Sequence, residues 1–258
     1  MIFETHAHYD DKAFDEDRHE LLSTLRDYNI EAAVNICASV RSLDATKELM
    51  EQYPNVYGAI GIHPDEVGDI TDEVWAKMEQ LCDHEKTVAV GEIGLDYYWD
   101  KENHEKQIYW FVRQMDLARR KKLPIVIHSR DAAADTLNVA KINNAGELGG
   151  IVHCFSYGKE IAREYLNMGM YIGVGGVVTF NNGKKLKEVV EYAPLSQIVL
   201  ETDCPYLSPV PFRGKRNSSR NIPYIVDAIA QIKGVTAEEV LKITNANAKK
   251  VFKILDRE

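Results

Sequence analysis

Eight short apolar runs rich in β-branched residues recur along the chain, and longer stretches with helical spacing lie between them. The runs are 2–5, 32–36, 56–60, 88–91, 125–127, 150–152, 170–173 and 198–201. The helical stretches are 17–28, 43–53, 72–84, 104–122, 132–142, 158–168 and 184–192, with 222–233, 236–243 and 246–255 in the tail. In the fourth of these, Ile108, Phe111, Met115 and Leu117 are spaced to form one buried stripe. The runs are nearly all apolar rather than alternating, as expected of parallel strands covered on both faces. No Pro/Gly-rich linker, composition break or internal repeat interrupts the alternation. This predicts an α/β fold, a TIM (β/α)₈ barrel forming one domain over residues 1–258. An open doubly wound sheet is the alternative, because periodicity does not establish closure.

Composition narrows the setting more than the activity. A net charge of −9 argues against a general polyanion-binding surface. It does not exclude a nuclease, since metal ions and a local basic strip can neutralise phosphates. The N-terminus lacks the basic flank of a signal peptide, and no apolar run approaches the ~20 residues needed to span a bilayer. A cytoplasmic location and no membrane association are expected. Cys37, Cys82, Cys154 and Cys204 show no C-x-x-C spacing and read as small buried hydrophobes. Cys154 and Cys204 neighbour candidate ligands but, by strand alternation, point to the opposite face.

Potential metal ligands stand at the C-terminal ends of these runs: His6, His8, Glu92, His128, His153 and Asp203. Barrel closure would bring all six to one face. His6 and His8, two apart, point the same way on a strand and can share a cation. Glu92, between Gly91 and Gly94, has two oxygens with which to bridge two metals. His128 and His153 end neighbouring strands and suit a second metal. Asp203 would lie beside the first strand, able both to ligate and to accept a proton from water. Glu201 shares that face and is expected to support a ligand by hydrogen bonding.

Other residues offer substrate contacts. His63 in G-I-H-P either contacts a phosphate, shuttles a proton or caps the turn fixed by Pro64. Arg213, Lys215, Arg216 and Arg220 form a basic strip, either a phosphate clamp or an ordinary solvated loop. Arg130 follows His128 and is placed to reach a phosphate oxygen. The denser cluster Arg119–Lys122 belongs to the opposite end of the barrel, where cations complement a helix dipole. Tyr97, Tyr98, Trp99, Phe155 and Tyr157 either stack on unpaired bases or pack on the rim. His19, His84 and His104 fall on helical faces and are expected to be solvated.

The ordered segments E-T-H-A-H-Y-D, G-I-H-P, G-E-I-G-L-D-Y-Y, H-S-R-D-A, H-C-F-S, L-E-T-D-C-P-Y-L and R-G-K-R-N resemble the motifs of the TatD-type metal-dependent deoxyribonucleases. The resemblance runs from residue 3 to about residue 217. It implies a barrel of the amidohydrolase superfamily with two divalent metals. His6, His8, Glu92 and Asp203 would hold one, and Glu92, His128 and His153 the other, with Glu92 bridging. It further implies hydrolysis of single-stranded DNA from the 3′ end by metal-activated water, with Asp203 and Glu92 catalytic. His63, Arg130, Arg213, Lys215 and Arg216 would contact the DNA, and no obligate protein partner is evident. Mg²⁺, Mn²⁺ and Zn²⁺ all suit the donor set, the histidines turning preference away from Mg²⁺. Two departures from the family pattern are Asp65, where a second histidine is common, and Ser218, where Glu-Pro often follows. A small-molecule amidohydrolase or phosphotriesterase, a tRNA-linked hydrolase and a non-catalytic metal- or DNA-binding module are the alternative readings.

Overall fold

All eight apolar runs become strands of one parallel sheet in sequence order: β1 Ile2–Ala7, β2 Ile30–Ile36, β3 Val56–Ala59, β4 Thr87–Asp96, β5 Ile125–Arg130, β6 Gly150–Val152, β7 Tyr171–Val174 and β8 Ile198–Leu200. The structure, a computed structural model, describes residues 1–254. The seam between β8 and β1 is held by the backbone bridge Ala7–Cys204 and by Asp203 N–H donating to His6 O at 2.9 Å. His8 N–H donates to Cys204 O at 2.9 Å, and Thr5 Oγ1 to Leu200 O at 2.9 Å. The sheet therefore rolls into a (β/α)₈ barrel rather than lying open.

Ten α-helices surround it among the described residues: α1 Arg18–Ser23, α2 Val40–Gln52, α3 Asp72–Leu81, α4 His104–Lys121, α5 Ala133–Ile142, α6 Ala145–Leu148, α7 Lys159–Asn167, α8 Lys184–Tyr192, α9 Ile222–Lys233 and α10 Ala237–Val251. Adjacent strand residues divide between two apolar layers. Ile125 and Ile127 pack against the helices, whereas Val126 joins Phe3, Val34 and Val199 inside the barrel. That inner layer is closed at one end by Ala248, Val251 and Phe252.

The structure departs from the sequence expectations in three places. The stretch 17–28 is not one helix: α1 stops at Ser23 and a 3₁₀ turn, Leu25–Tyr28, follows. Thr24 Oγ1 donates to Glu20 O at 2.6 Å, the local hydroxyl–carbonyl bond that bends helices, and Asn29 ends the segment at φ 61°. The two tail helices are one, α10, because Asn245 and Asn247 spend their amides on distant partners. Asn247 Nδ2 donates to Ile198 O at 2.7 Å and to Leu195 O at 2.9 Å, which overrides its weak helix propensity. Leu255, the expected end of that segment, lies outside the described residues.

The third departure positions the site. β4 and β5 run well past the expected 91 and 127, so Glu92 and His128 sit within strands. Gly94 makes this pairing possible: at φ 145°, a Cβ there would fall 1.9 Å from His128 O. No helix among the described residues is long and apolar enough to cross a membrane.

Candidate metal centre

Six side chains carried by five strands and the residues just after them converge where closure predicted. Glu92 stands in the middle. Its Oε2 lies 3.6 Å from His6 Nε2 and 3.9 Å from His8 Nε2, while Oε1 lies 2.6 Å from His128 Nδ1 and 2.7 Å from His153 Nε2. Asp203 Oδ1 is 3.3 Å from His8 Nε2 and 3.7 Å from His6 Nε2. The two oxygens of one carboxylate thus face two different groups of donors. His63 joins from the loop after β3, its Nε2 3.9 Å from Glu92 Oε1 and its Nδ1 bonded to Asp65. Asp65, the departure from the family pattern, therefore orients His63. Ser218 N–H, at the other departure, donates to Asn217 Oδ1 at 2.9 Å.

Hydrogen bonds behind the ligands fix which nitrogen faces the centre. His8 Nδ1 donates to Ile36 O at 3.0 Å, which points Nε2 at the centre. His128 is turned the other way, with Nε2 donating to Asp96 Oδ2 at 3.0 Å. Asp96 is the site residue that the sequence reading missed, because the strand was expected to end at 91. Its other oxygen accepts the Tyr98 and Trp99 N–H groups, each at 2.9 Å. The available signal was spacing: Asp96 follows Glu92 by four residues, an even interval on one strand.

Electrostatics show what the donor set lacks. Burial disfavours charge on His8, yet Asp203 and Glu92 raise it to about 10. His128 is likewise raised to about 9 by Glu92 and Asp96 against the effect of burial. His6, 3.2 Å from His8, is pushed down to about 3 by burial and His153. Burial opposes ionisation of Glu92, but His153 and His128 hold its carboxyl well below the usual range. Protons on His8 and His128 thus supply positive charge that the converging carboxylates demand. Imidazole nitrogens and carboxylate oxygens with that deficit fit divalent cations. Three groups of donors meet within 4.8 Å: His6, His8 and Asp203; His63, Glu92 and His128; and His6, His153 and Glu201.

The other expected contacts divide. Arg130 lines the pocket, its guanidinium 3.9 Å over Tyr98 and 5.4 Å from Trp99, which is 64 % exposed. The basic strip does not line the pocket. Arg216 pairs with Asp17 through both terminal nitrogens and donates to Ala13 O at 2.7 Å. Arg220 reaches Thr24 Oγ1 at 2.8 Å, Arg213 covers Phe180 at 3.6 Å, and Lys215 lies 5.9 Å from Phe212. The acids of the first helical segment, distant in sequence, are what draw Arg216 and Arg220 away. Among the rim aromatics, Tyr97 stacks on His104 at 3.5 Å, and Tyr157 bonds Ser129 at 2.9 Å. His104 is therefore packed rather than solvated, and His19 bonds Tyr53 OH at 3.0 Å. Arg120 and Lys121 pair with Glu79 and Asp83, each at 2.5 Å. Cys154 lines the pocket rather than facing away from it, because the chain leaves strand geometry there at φ 44° and alternation no longer applies.

A parallel (β/α)₈ barrel whose strand ends gather histidines and carboxylates around one buried glutamate defines a metal-dependent hydrolase. The chain belongs to the TatD related DNase family, whose profile matches residues 3–253. It is 42 % identical over 254 residues to the metal-dependent hydrolase YabD of Bacillus subtilis, covering 98 % of this chain and 100 % of that protein. It is 30 % identical to the 3′-5′ ssDNA/RNA exonuclease TatD of Cronobacter turicensis, with 93 % of each chain covered. Its fold matches that of YjjV, a TatD homologue from Escherichia coli, with a TM-score of 0.92, 27 % identity and 98 % of each chain covered.

Proposed function

We propose that the protein is a metal-dependent phosphodiesterase that trims single-stranded DNA from the 3′ end, as a single cytoplasmic barrel domain without an obligate protein partner. The observation that carries the hydrolytic reading is Glu92, whose two oxygens face separate donor groups. His6, His8, Asp203 and Glu92 would hold one divalent cation, and Glu92, His128 and His153 the other. Cations held there would supply positive charge against a scissile phosphate and would make a nearby water easier to deprotonate. Asp203, its carboxyl lowered by His8 and His153 despite burial, is ionised at neutral pH and takes the proton from the attacking water. Arg130 holds a phosphate oxygen as charge develops. His63, oriented by Asp65, contacts the substrate beside Glu92. The nucleic-acid substrate is supported by the activity for which the Cronobacter relative is named.

The test is a time course on 3′- and 5′-labelled single and double strands with Mg²⁺, Mn²⁺ or Zn²⁺. Loss of label from the 3′ end of single strands, abolished in Asp203→Ala and His128→Ala, is expected. Wild-type rates in either folded variant would overturn the site assignment.

One observation favours a second reading, a small-molecule hydrolase. Asp10, Asp11, Asp65 and Glu66 share the pocket lining with Arg130, so the rim is acidic and unfavourable to a long polyanion. Turnover of esters or lactones, with oligonucleotides left intact, would decide for it.

A further inference from the structure

Five histidines surround Glu92, and three have their rear nitrogen tied to an acceptor. His8 uses Ile36 O, His128 uses Asp96 and His63 uses Asp65. His6 and His153 do not. Both direct Nε2 at Glu92, their rings stack at 3.8 Å with an interplanar angle of 11°, and neither Nδ1 has a hydrogen-bond partner among the described residues. A third buried atom, Glu201 Oε2, is equally without a partner. Glu201 Oε1 accepts the Cys154 N–H at 2.6 Å and lies 3.9 Å from His153 Nδ1. One donor atom from each of His6, His153 and Glu201 falls within 4.8 Å of the other two. All three residues are buried, the most exposed being His153 at 5 %.

The chemistry of the rings selects what joins them. A neutral imidazole that gives its Nε2 lone pair to a cation carries its proton on Nδ1. His153 Nδ1 then stands 3.9 Å from the Glu201 carboxylate, too long for a direct bond, and His6 Nδ1 is left equally without an acceptor in the same cluster. We propose that one internal water is held between His6 Nδ1, His153 Nδ1 and Glu201 Oε2, and that Glu201, acting through it, is a positioning residue for both metal-binding rings. The water accepts two N–H bonds and donates one O–H to Glu201, and three bonds is the usual complement of a buried water. A cation does not suit this place, because protonated Nδ1 atoms present no lone pairs. Gly173 leaves the carboxylate its position, since a Cβ there would lie 2.2 Å from Glu201 Oε2. The inference rests on ligation through Nε2 in the reading above.

The test is Zn²⁺ affinity by chelator competition for wild type and Glu201→Gln, each checked by circular dichroism. The substitution conserves shape, and with its oxygen kept on the Cys154 N–H it turns the Oε2 acceptor into a donor. Zn²⁺ affinity should fall about 10- to 100-fold, whereas a space-filling role would leave it unchanged. In parallel, ¹⁵N-histidine NMR of Zn²⁺-loaded wild type should show protons on Nδ1 of both His6 and His153, and this alone decides the matter should the variant not fold. Unchanged affinity in Glu201→Gln, an unprotonated Nδ1, or three Zn²⁺ per chain would each overturn the inference while leaving the metal centre standing. Wild type that binds no Zn²⁺ would remove both.

Discussion

Asp96 accepts the Nε2 proton of His128 at 3.0 Å, and the same carboxylate caps the backbone of Tyr98 and Trp99. One residue thus orients a candidate metal ligand and shapes the turn that carries the exposed aromatics of the rim. Asp96→Asn keeps the size and one acceptor oxygen but sets an amide donor against a donor. It should lower metal affinity about 10- to 100-fold. Chelator competition measures this, and an affinity within twofold of wild type would count against the role.

The chelated protein should lose stability as pH rises. Asp203 and Glu92 hold His8 protonated to about 10, and Glu92 and Asp96 hold His128 to about 9, so their contribution is complete below the ordinary histidine value and fades as pH passes through those figures. Burial raises Glu4 to about 7, and this acid gives the same sign, favouring the fold while protonated. His6, held down near 3, stays neutral throughout this range. The melting temperature of EDTA-treated protein should therefore decline steadily between about pH 6.5 and 9. Metal affinity should rise over the same interval, because binding displaces the protons. Melting curves on chelated protein that are flat or rising across it would contradict this account.

Two arginines that sequence alone treats alike should behave differently. Arg130 is the one Lys or Arg lining the pocket among the described residues. Arg130→Ala should lower kcat/KM for a phosphodiester about 10²-fold. Arg216, committed to Asp17 on the surface, should on replacement by alanine cost less than about 1 kcal/mol of stability and leave kcat/KM unchanged. Steady-state kinetics and urea unfolding on both variants distinguish the roles.

Gln107 clamps the end of β4, its Oε1 accepting Asp96 N–H at 2.8 Å and its Nε2 donating to Asp96 O at 3.0 Å. It is fully buried, so Gln107→Ala orphans both groups at about 1–3 kcal/mol each. Urea unfolding should show the loss, and it should be accompanied by weaker metal binding, because Asp96 no longer holds its place.

Part of this was legible beforehand. Strand period, helix period and the residues closing each run marked the eight strands and the six side chains that converge, because these are local features. Lys184–Tyr192 and Ile222–Lys233 match the expected bounds residue for residue. Gln107 and Gln114, by contrast, break the apolar stripe of α4 yet are buried, Gln107 satisfied by backbone at the end of β4 and Gln114 by Ile62 in the loop after β3. Helical periodicity reports which face is apolar and is blind to a polar side chain whose partner comes from another element.

The sequence by itself determined which chemical groups stand at the strand ends and, through alternation, that a parallel sheet would carry them. Only the tertiary structure decided how they are used. Closure sets Asp203 N–H on His6 O, 197 positions away in sequence, and so seats the Asp203 carboxylate beside His6 and His8. Folding also chose which nitrogen of each ring looks inward, gave Asp96 to His128, and drew Arg216 from the pocket to Asp17. The reason is physical: periodicity is a property of neighbours along the chain. Hydrogen-bond direction and charge pairing depend on groups that meet only when the barrel closes.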